Sequence, residues 1–147
     1  MMKNLLVKDW MQTQVVLGEA QMGMLDAHKM MTDRQIRRLP VVDEHGVLIG
    51  MVTRSDIRKA EPSGATSLNM WELNYLLAKL KLKDIMTKDV LTCHADDTIK
   101  TAALLMQENK IGAVPVVDGK RKVVGIITES DIFRVLVAWF NEEVGEA

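Results

Sequence analysis

The chain has 147 residues, 48% of them hydrophobic, which is enough for one compact domain or two small domains that pack together. Nineteen basic and twenty acidic residues leave a net charge of -1, which excludes the broad positive surface that non-specific nucleic-acid binding or docking to anionic membranes requires. The single cysteine, Cys93, excludes an intrachain disulfide and a multi-cysteine metal site. We therefore expect a cytoplasmic protein in a reducing compartment, with no nucleic-acid or membrane partner.

The apolar runs near the two ends of the sequence are too short for export or insertion. Residues 5–7 run directly into charged residues, which is too short for the core of a signal peptide. Residues 135–140 form the longest uncharged apolar run near the C-terminus, far below the roughly 20 residues that span a bilayer. The sequence therefore predicts neither a secretory signal nor a transmembrane segment.

An internal repeat organises the chain. Residues 39–60, LPVVDEHGVLIGMVTRSDIRKA, align without a gap with residues 114–135, VPVVDGKRKVVGIITESDIFRV, so that Pro40 and Pro115 are 75 positions apart. The same offset aligns two Lys-Asp-x-Met elements, VKDWMQTQVV at 7–16 and LKDIMTKDVL at 82–91. The resulting division is repeat 1 at 1–60, a linker with a helix at 61–81, and repeat 2 with a C-terminal helix at 82–147.

Each repeat is predicted to run strand, helix, strand, strand, helix. A short extended segment comes first, a strand that starts with a proline follows the first helix, and a polar hairpin connection leads to the partner strand. The predicted strands are residues 14–16, 40–42 and 48–52 in repeat 1, and 89–91, 115–117 and 123–127 in repeat 2.

Helices fill the remaining segments. In repeat 2, residues 97–109 open with an Asp-Thr start signal and carry apolar residues at helical spacing. The last helix of each repeat is expected to start at Thr53 or Thr128, and residues 131–144 place apolar side chains on one face: Ile132, Val135, Leu136 and Trp139. A linker helix at 68–80 is predicted to be capped by Thr66 or Ser67.

The pattern Gly-apolar-apolar-Thr-x-Ser-Asp occurs at 50–56 and again at 125–131, where a strand leads into a helix. Amides at a helix start carry partial positive charge, a threonine hydroxyl there can donate to a phosphate, and a carboxylate three residues later can accept from two ribose hydroxyls. The glycine would let a ligand approach the strand. Thr-x-x-Asp is equally the pattern of a capping box, so the residues alone leave a ligand site and a structural cap both open.

These elements, LPVVD…GMVTRSDI and VPVVD…GIITESDI with the upstream KDWM and KDIM, resemble the cystathionine-β-synthase (CBS) domain family over nearly all of both halves. The resemblance implies an α/β (α+β) fold, in which two β-α-β-β-α repeats pack about a pseudo-twofold axis into a Bateman module. It also implies clefts between the repeats for adenosine-containing ligands, and pairing into homodimers. The linker, WELNYLLAKLKLKDIM, is similar to the acetoin-utilisation-type subgroup.

The resemblance assigns roles to individual positions of this sequence. Asp56 and Asp131 would be the ribose-binding carboxylates, and Thr53 and Thr128 would place hydroxyls near ribose or phosphate. The adenine edge is expected against apolar residues of the first strands and their neighbours, namely Val15, Val16, Val90, Leu91, Leu39 and Val114.

The two repeats differ at positions that would lie near the phosphate group of a bound nucleotide. Positions held by Arg37, Arg38 and Arg54 in repeat 1 are occupied in repeat 2 by Gly112, Ala113 and Glu129. We hypothesise that the arginine-bearing site prefers a phosphorylated nucleotide, because forked guanidinium donors suit phosphate. A solvated helix end is the other interpretation of these arginines. The two sites are therefore expected to be unequally occupied.

The sequence favours a binding module over an enzyme. His28, His45 and His94 lie in different elements, so no metal site is expected, and Cys93 and His94 are adjacent in an extended segment and point to opposite sides. The leading hypothesis is a regulatory module without cofactor or catalysis. It senses AMP, ADP, ATP or S-adenosylmethionine and passes a conformational shift to a partner protein. The alternative is a structural dimerisation module with vestigial clefts.

Methionines and aromatic residues outside the repeated motifs carry two interpretations. Met22, Met24, Met30 and Met31 either fill the core or lie at a subunit interface. An aromatic part of such an interface would comprise Trp71, Tyr75, Leu76 and Trp139.

Overall fold

A computed structural model describes residues 5–61 and 67–143. Both repeats contain helices and strands, which confirms the mixed α+β fold and the two repeats. The helices are α1 (Val7–Trp10), α2 (Met24–Asp33), α3 (Arg54–Ala60), α4 (Met70–Lys79), α5 (Leu82–Ile85), α6 (Ile99–Asn109) and α7 (Glu129–Glu143). The strands are β1 (Gly18–Glu19), β2 (Arg38–Val42), β3 (Leu48–Thr53), β4 (Ala113–Val117) and β5 (Val123–Thr128).

The chain forms two compact units whose borders differ from those of the sequence repeats. Unit 2 is the continuous stretch Val16–Val90, whereas unit 1 combines the residues up to Val15 with those from Leu91 onward. Each unit therefore contains one β-hairpin together with the Lys-Asp-x-Met element of the other repeat.

The two hairpins have the same register. In unit 2, β2 pairs antiparallel with β3, and Pro40 lies opposite Met51. In unit 1, β4 pairs with β5 in the same way, and Pro115 lies opposite Ile126. Each hairpin also has an irregularity at the equivalent place, between Val41 and Val42 or between Val116 and Val117. The sequence repeat is thus a structural repeat at the level of individual residue pairs.

The prolines lie inside the strands rather than at their starts, which corrects the expected strand boundaries. A proline has no N–H to donate to the neighbouring strand. It therefore suits a position opposite a residue whose own N–H and C=O bond to a third segment. Met51 meets this condition because its N–H and C=O both bond to Thr87, with N–O distances of 2.9 Å. Ile126 bonds in the same way to Gln12, also at 2.9 Å.

Two short segments after the Lys-Asp-x-Met elements therefore complete the hairpins. Gln12 forms a bridge to Ile126 in unit 1, and Thr87 forms the equivalent bridge to Met51 in unit 2. In unit 1 the preceding residues are also fixed, since the Val7 N–H donates to the Asp97 carbonyl at 2.8 Å. Segment 7–12 thus serves repeat 2, and segment 82–87 serves repeat 1.

Each unit has its own hydrophobic core. In unit 2, the buried methionines Met24 and Met31 pack with residues of α2, β2, β3 and α5, while Met22 and Met30 pack against them half-buried. These four methionines therefore fill the core, as the first of the two interpretations holds. In unit 1, the buried cluster comprises Val7, Cys93, Ile99, Ala102, Met106, Val114, Val116, Ile127 and Val135.

The leading strands lie a few residues later than predicted. Residues 14–16 and 89–91 are not strands. Instead, β1 pairs parallel with β2 through Gly18 and Val41, and Cys93 forms the equivalent bridge to Val116. The hydrophobic pattern pointed to the valines at 15, 16 and 90 as strand residues. The strand pairing occurs instead at Gly18, where the absence of a side chain lets the neighbouring side chains pack closely. A Cβ atom at Gly18 would lie 2.8 Å from side-chain atoms of Leu39 and Leu82.

The helix starts also differ by small shifts. Thr53 is the N-cap of α3, so the helix itself begins at Arg54. Thr98 caps α6, which starts at Ile99 instead of residue 97. The linker helix α4 is capped by Asn69, whose side chain accepts from the Glu72 N–H at 2.8 Å, and not by Ser67. Asparagine is as good an N-cap as serine. Thr66, the other predicted cap, lies outside the described residues.

Helices α4 and α7 present apolar side chains to solvent. On α7, Val135 is buried and Ile132 packs against the core, whereas Leu136 and Trp139 are more than 40% exposed, which narrows the predicted core face to two residues. Further exposed apolar residues are Phe133, Val137 and Phe140 on α7 and Met70, Trp71, Tyr75 and Leu76 on α4. In the described part of the chain, no helix has the length and hydropathy needed to cross a membrane.

Candidate functional site

The start of α3 in unit 2 is closed by a complete capping box. The Thr53 hydroxyl oxygen accepts from the Asp56 N–H at 3.1 Å, and Oδ2 of Asp56 accepts from the Thr53 N–H at 2.8 Å. Both side chains are half-buried. No side chain of the described residues donates to Oδ1 of Asp56. That oxygen is therefore available to a hydroxyl group.

The start of α7 in unit 1 has the same cap with additional partners. Oδ2 of Asp131 accepts from the Thr128 N–H at 2.9 Å and from the Thr128 hydroxyl at 3.1 Å. Oδ1 accepts from Gln12 Nε2 at 3.4 Å and from Arg134 Nη1 at 3.3 Å. Asp131 is completely buried, in contrast to Asp56. The two equivalent aspartates thus have different surroundings.

The three predicted arginines lie together beside the unit 2 cap. Arg38 pairs with Thr53 across the hairpin, and the Arg54 N–H donates to the Arg37 carbonyl at 3.1 Å. Arg37 and Arg54 are exposed, and Arg38 is half-buried. This end of unit 2 therefore carries three positive charges close to the α3 N-terminus.

The equivalent end of unit 1 lacks those charges. The Glu129 N–H donates to the Gly112 carbonyl at 3.0 Å, in the place of the Arg54 and Arg37 pair, and Ala113 pairs with Thr128. Glu129 is exposed, so the charge near this helix start is negative. The backbone is the same at both places, and only the side chains differ.

The predicted apolar contacts divide between exposed and buried positions. Val16 and Val90 are half-buried in unit 2, Val15 is half-buried in unit 1, and Leu91 is 41% exposed. Leu39 and Val114 are completely buried, each in the hydrophobic core of its own unit. The first four side chains retain surface for a ligand, whereas Leu39 and Val114 support the strands from beneath.

The glycines of the repeated pattern make room for methionines of the Lys-Asp-x-Met elements. A Cβ atom at Gly50 would meet the side chain of Met86, including Cγ at 2.8 Å. A Cβ atom at Gly125 would lie 2.7 Å from Sδ of Met11 and 2.9 Å from the Gln12 carbonyl oxygen. The sequence suggested that these glycines admit a ligand; in the structure this space holds a side chain of the same unit.

Cys93 and His94 do not form a nucleophile and base. Cys93 is 2% exposed in the unit 1 core, and burial raises the pKa of its thiol to about 12. A ring nitrogen of His94 lies 2.9 Å from the Val117 carbonyl oxygen, which orients the ring toward β4. Within the described residues, no three His, Cys, Asp or Glu side chains gather closely enough to hold a metal ion.

A surface cavity of about 260 Å³ lies between α6 and α7 in unit 1. Its lining comprises Ala103, Met106, Gln107, Ile111, Glu129, Ile132 and Phe133. None of the residues predicted to bind nucleotide lines this cavity, although Glu129 and Ile132 are the chain neighbours of Thr128 and Asp131.

The family of the chain follows from a match to a known domain. The profile of the CBS domain matches twice, over residues 7–63 and 82–138. The chain belongs to the CBS domain family. Each match begins at a Lys-Asp-x-Met element and extends past the capped aspartate, so both motifs belong to the CBS pattern.

One curated CBS relative is a much longer protein. L-aspartate semialdehyde sulfurtransferase of Methanocaldococcus jannaschii is 35% identical over 130 residues, which cover 88% of this chain and 23% of that protein. The chain thus spans about a quarter of the length of this relative. Most of the length of that enzyme lies outside the match.

Solved structures of CBS pairs share the fold over most of their length. The CBS domain pair of protein MJ0100, in complex with 5'-methylthioadenosine and S-adenosyl-L-methionine, is 34% identical with a TM-score of 0.75, covering 90% of this chain and 96% of that one. CBSX2 in complex with AMP is 25% identical with a TM-score of 0.77, covering 92% and 98%. A Vibrio cholerae protein described as an acetoin utilization protein (AcuB) is 27% identical with a TM-score of 0.78, covering 97% of both chains.

Sequence reasoning missed two residues of the unit 1 site, Gln12 and Arg134. Arg134 follows Asp131 by three positions, which is the spacing of an ion pair on a helix surface, so this contact had a local signal. Gln12 is 119 positions from Asp131, and nothing in the local pattern points to it. The Gln12 contact depends on the packing of segment 7–12 in unit 1, which the local sequence does not record.

Proposed function

We propose that this chain is a regulatory module that binds adenosine-containing ligands, with the Thr-x-x-Asp caps as the ribose sites. The observation that carries the proposal is the half-buried Asp56, whose Oδ2 holds the helix cap while Oδ1 remains available to accept from a ribose hydroxyl. The match to CBS pairs in complex with AMP, 5'-methylthioadenosine and S-adenosyl-L-methionine supports the same ligand class.

In this proposal each unit contributes one site. Thr53 and Asp56 hold the ribose in unit 2, with Val16 and Val90 as apolar surface and Leu39 beneath. Thr128 and Asp131 hold it in unit 1, with apolar surface from Val15 and Leu91 above Val114. The ligand is regulatory, and the protein needs no catalytic cofactor.

A thermal-shift screen tests the ligand class. AMP, ADP, ATP, S-adenosylmethionine and cyclic dinucleotides are each added at saturating concentration, and Asp56→Asn and Asp131→Asn variants serve as controls. A ligand present at 100 times its Kd stabilises the folded state by about 2.7 kcal/mol, which raises the melting temperature by several degrees. No stabilisation by any of these compounds would favour the structural dimerisation module instead.

We further propose that the unit 2 site prefers phosphorylated ligands. Arg37, Arg38 and Arg54 surround its cap and can donate to a phosphate, whereas Glu129 at the equivalent place in unit 1 repels one. Titration of AMP and adenosine into the wild type and an Arg38→Ala variant tests this preference. We expect the variant to lose about tenfold in affinity for AMP and little for adenosine; an equal loss for both ligands would contradict the phosphate role.

Exposed apolar residues favour a homodimer as the working form. Phe133, Val137 and Phe140 on α7 are each more than half exposed, and Trp139 packs edge-on against Phe140 with ring centroids 5.1 Å apart. Such a patch is typical of a protein interface. Light scattering of the wild type and a Trp139→Ala, Phe140→Ala variant should give a dimer and a monomer, respectively. A monomeric wild type would instead assign this face to a regulated partner protein.

A binding role also fits the chemistry of the described residues. The enzyme names among the relatives belong to proteins of which this chain matches 20–25% of the length, so we assign catalysis to the remainder of those proteins. The single cysteine of the chain is a free, buried thiol, which favours the reducing cytoplasm. Cell fractionation with an epitope-tagged chain would test this location.

A further inference from the structure

We propose that Gln12 and Arg134 cover the unit 1 aspartate and must leave it before a ribose binds there, so that the Asp56 site fills at lower ligand concentration. The inference rests on the proposed function, because it takes Asp56 and Asp131 as ribose-binding carboxylates. It adds a difference in affinity that is set by two residues outside the repeated motif.

Asp131 has no exposed surface, and both its oxygens already accept hydrogen bonds. A ribose diol needs two acceptor positions on a carboxylate. Oδ1 can become one of them only if Gln12 and Arg134 give it up, and their departure costs free energy that binding at Asp56 does not require.

Both covering side chains are exposed to solvent. Arg134 is 54% exposed, so its side chain has solvent to move into, while its guanidinium lies 5.5 Å from the centre of the Trp10 ring, a contact that adds to the cost of leaving Asp131. The Gln12 backbone is fixed by two hydrogen bonds to Ile126, but its side chain is exposed. Both side chains can therefore swing away while the backbone stays in place.

This cover is absent in repeat 1, where the backbone is the same. Thr87 occupies the place of Gln12 and forms the same backbone pair with Met51, but its shorter side chain makes no hydrogen bond to Asp56 among the described residues. Lys59 occupies the place of Arg134 and forms no ion pair with Asp56 among the described residues. These two side chains thus account for the cover over Asp131.

The test exchanges these side chains between repeats. In an Asp56→Asn background, which leaves the unit 1 site alone, Gln12→Thr and Arg134→Lys install the repeat 1 residues. Equilibrium dialysis with labelled adenosine, which carries no phosphate, should show about tenfold tighter binding than in the Asp56→Asn protein. An unchanged or weaker Kd would overturn the inference.

The reciprocal exchange guards against a folding defect. In an Asp131→Asn background, Thr87→Gln and Lys59→Arg place the cover over Asp56, and adenosine should bind several-fold more weakly than to Asp131→Asn alone. Arg58→Lys, at an exposed position of α3, is the matched control and should change neither affinity. Melting temperatures of all variants establish that they fold.

The same measurements separate this inference from the proposed function. If the Asp131→Asn protein binds adenosine while no protein with Asp56→Asn does, the covered site is not a ribose site and the inference alone fails. If none of the backgrounds binds adenosine or AMP, the proposed function fails, and the inference fails with it.

Discussion

The N-termini of α3 and α7 are the same structure with two different chemical environments. Thr53 and Thr128 cap their helices through an aspartate three residues later, and the hairpins that lead into them have the same register. Yet Asp56 is half-buried beside arginines, whereas Asp131 is completely buried with Gln12 and Arg134 on its second oxygen.

This difference shows how a duplicated fold acquires unequal sites. Backbone geometry is preserved because the caps and hairpin pairs that hold it are made by the repeated residues. Charge and access are set by neighbouring side chains that the repeat leaves free to vary. Substitutions that act on one unit at a time therefore test whether the two caps differ in stability and access.

Removal of each aspartate in turn should give the largest difference between the two units in the free energy of unfolding. Asp131→Ala leaves the Thr128 N–H and hydroxyl without their acceptor at a buried position and also removes the contacts of Gln12 and Arg134, so we expect a loss of about 2–4 kcal/mol in the free energy of unfolding. Asp56→Ala removes a half-exposed cap and should cost about 1 kcal/mol. Urea unfolding measures both, and equal losses would mean that the additional partners of Asp131 contribute nothing.

Replacement of the repeated glycines by alanine should give a smaller difference in the free energy of unfolding, again with the larger loss in unit 1. Gly125→Ala would press against the Gln12 carbonyl oxygen, which is held by the pair with Ile126, so we expect a cost of about 2 kcal/mol. At Gly50 the three nearest atoms belong to the Met86 side chain, with Cβ at 3.1 Å, and because Cγ and Sδ can rotate away, Gly50→Ala should cost about 1 kcal/mol. Gly119→Ala, where a Cβ atom meets nothing within 4 Å, is the control in the same urea titrations. A larger cost at Gly50 would contradict the packing argument.

The last prediction needs no substitution, because the alkylation rate of Cys93 reports on the unit 1 core of the unchanged protein. Repeat 2 has this thiol at the position of Gly18 in repeat 1, and burial raises its pKa to about 12. Only the thiolate is alkylated, so iodoacetamide at pH 8 should modify the folded protein at least about 100-fold more slowly than the protein in urea. Mass spectrometry follows the reaction. Similar rates in both states would show that the unit 1 core opens readily.

The sequence was sufficient for the two hairpins, the Thr53 and Thr128 caps and the five longer helices, because each depends on a local pattern, but it did not predict the short helices α1 and α5. Alternating apolar residues predict strands, and the Thr-x-x-Asp spacing predicts a helix start with its cap. The small errors occurred where several residues suit one role, as when Asn69 rather than Ser67 capped α4.

The pairing of each Lys-Asp-x-Met element with the hairpin of the other repeat was not predictable in this way. Both elements have the same apolar pattern, so either would suit either hairpin. Long-range packing decides between them, and a single sequence does not record it. The roles of Gln12, Met11 and Met86 depend on that pairing, which is why these residues were missed at the site and at the glycines.

The discontinuity of unit 1 has a consequence for the order of folding. Unit 2 is one continuous stretch, so during synthesis all of its strands and helices are made before β4 and β5. Segment 7–12 is made first, yet its partners in β5 and α7 appear more than a hundred residues later. Once unit 2 has folded, its two ends are held at a fixed spacing instead of being joined by a long flexible chain. The nascent chain therefore loses less entropy when segment 7–12 meets β5 and α7.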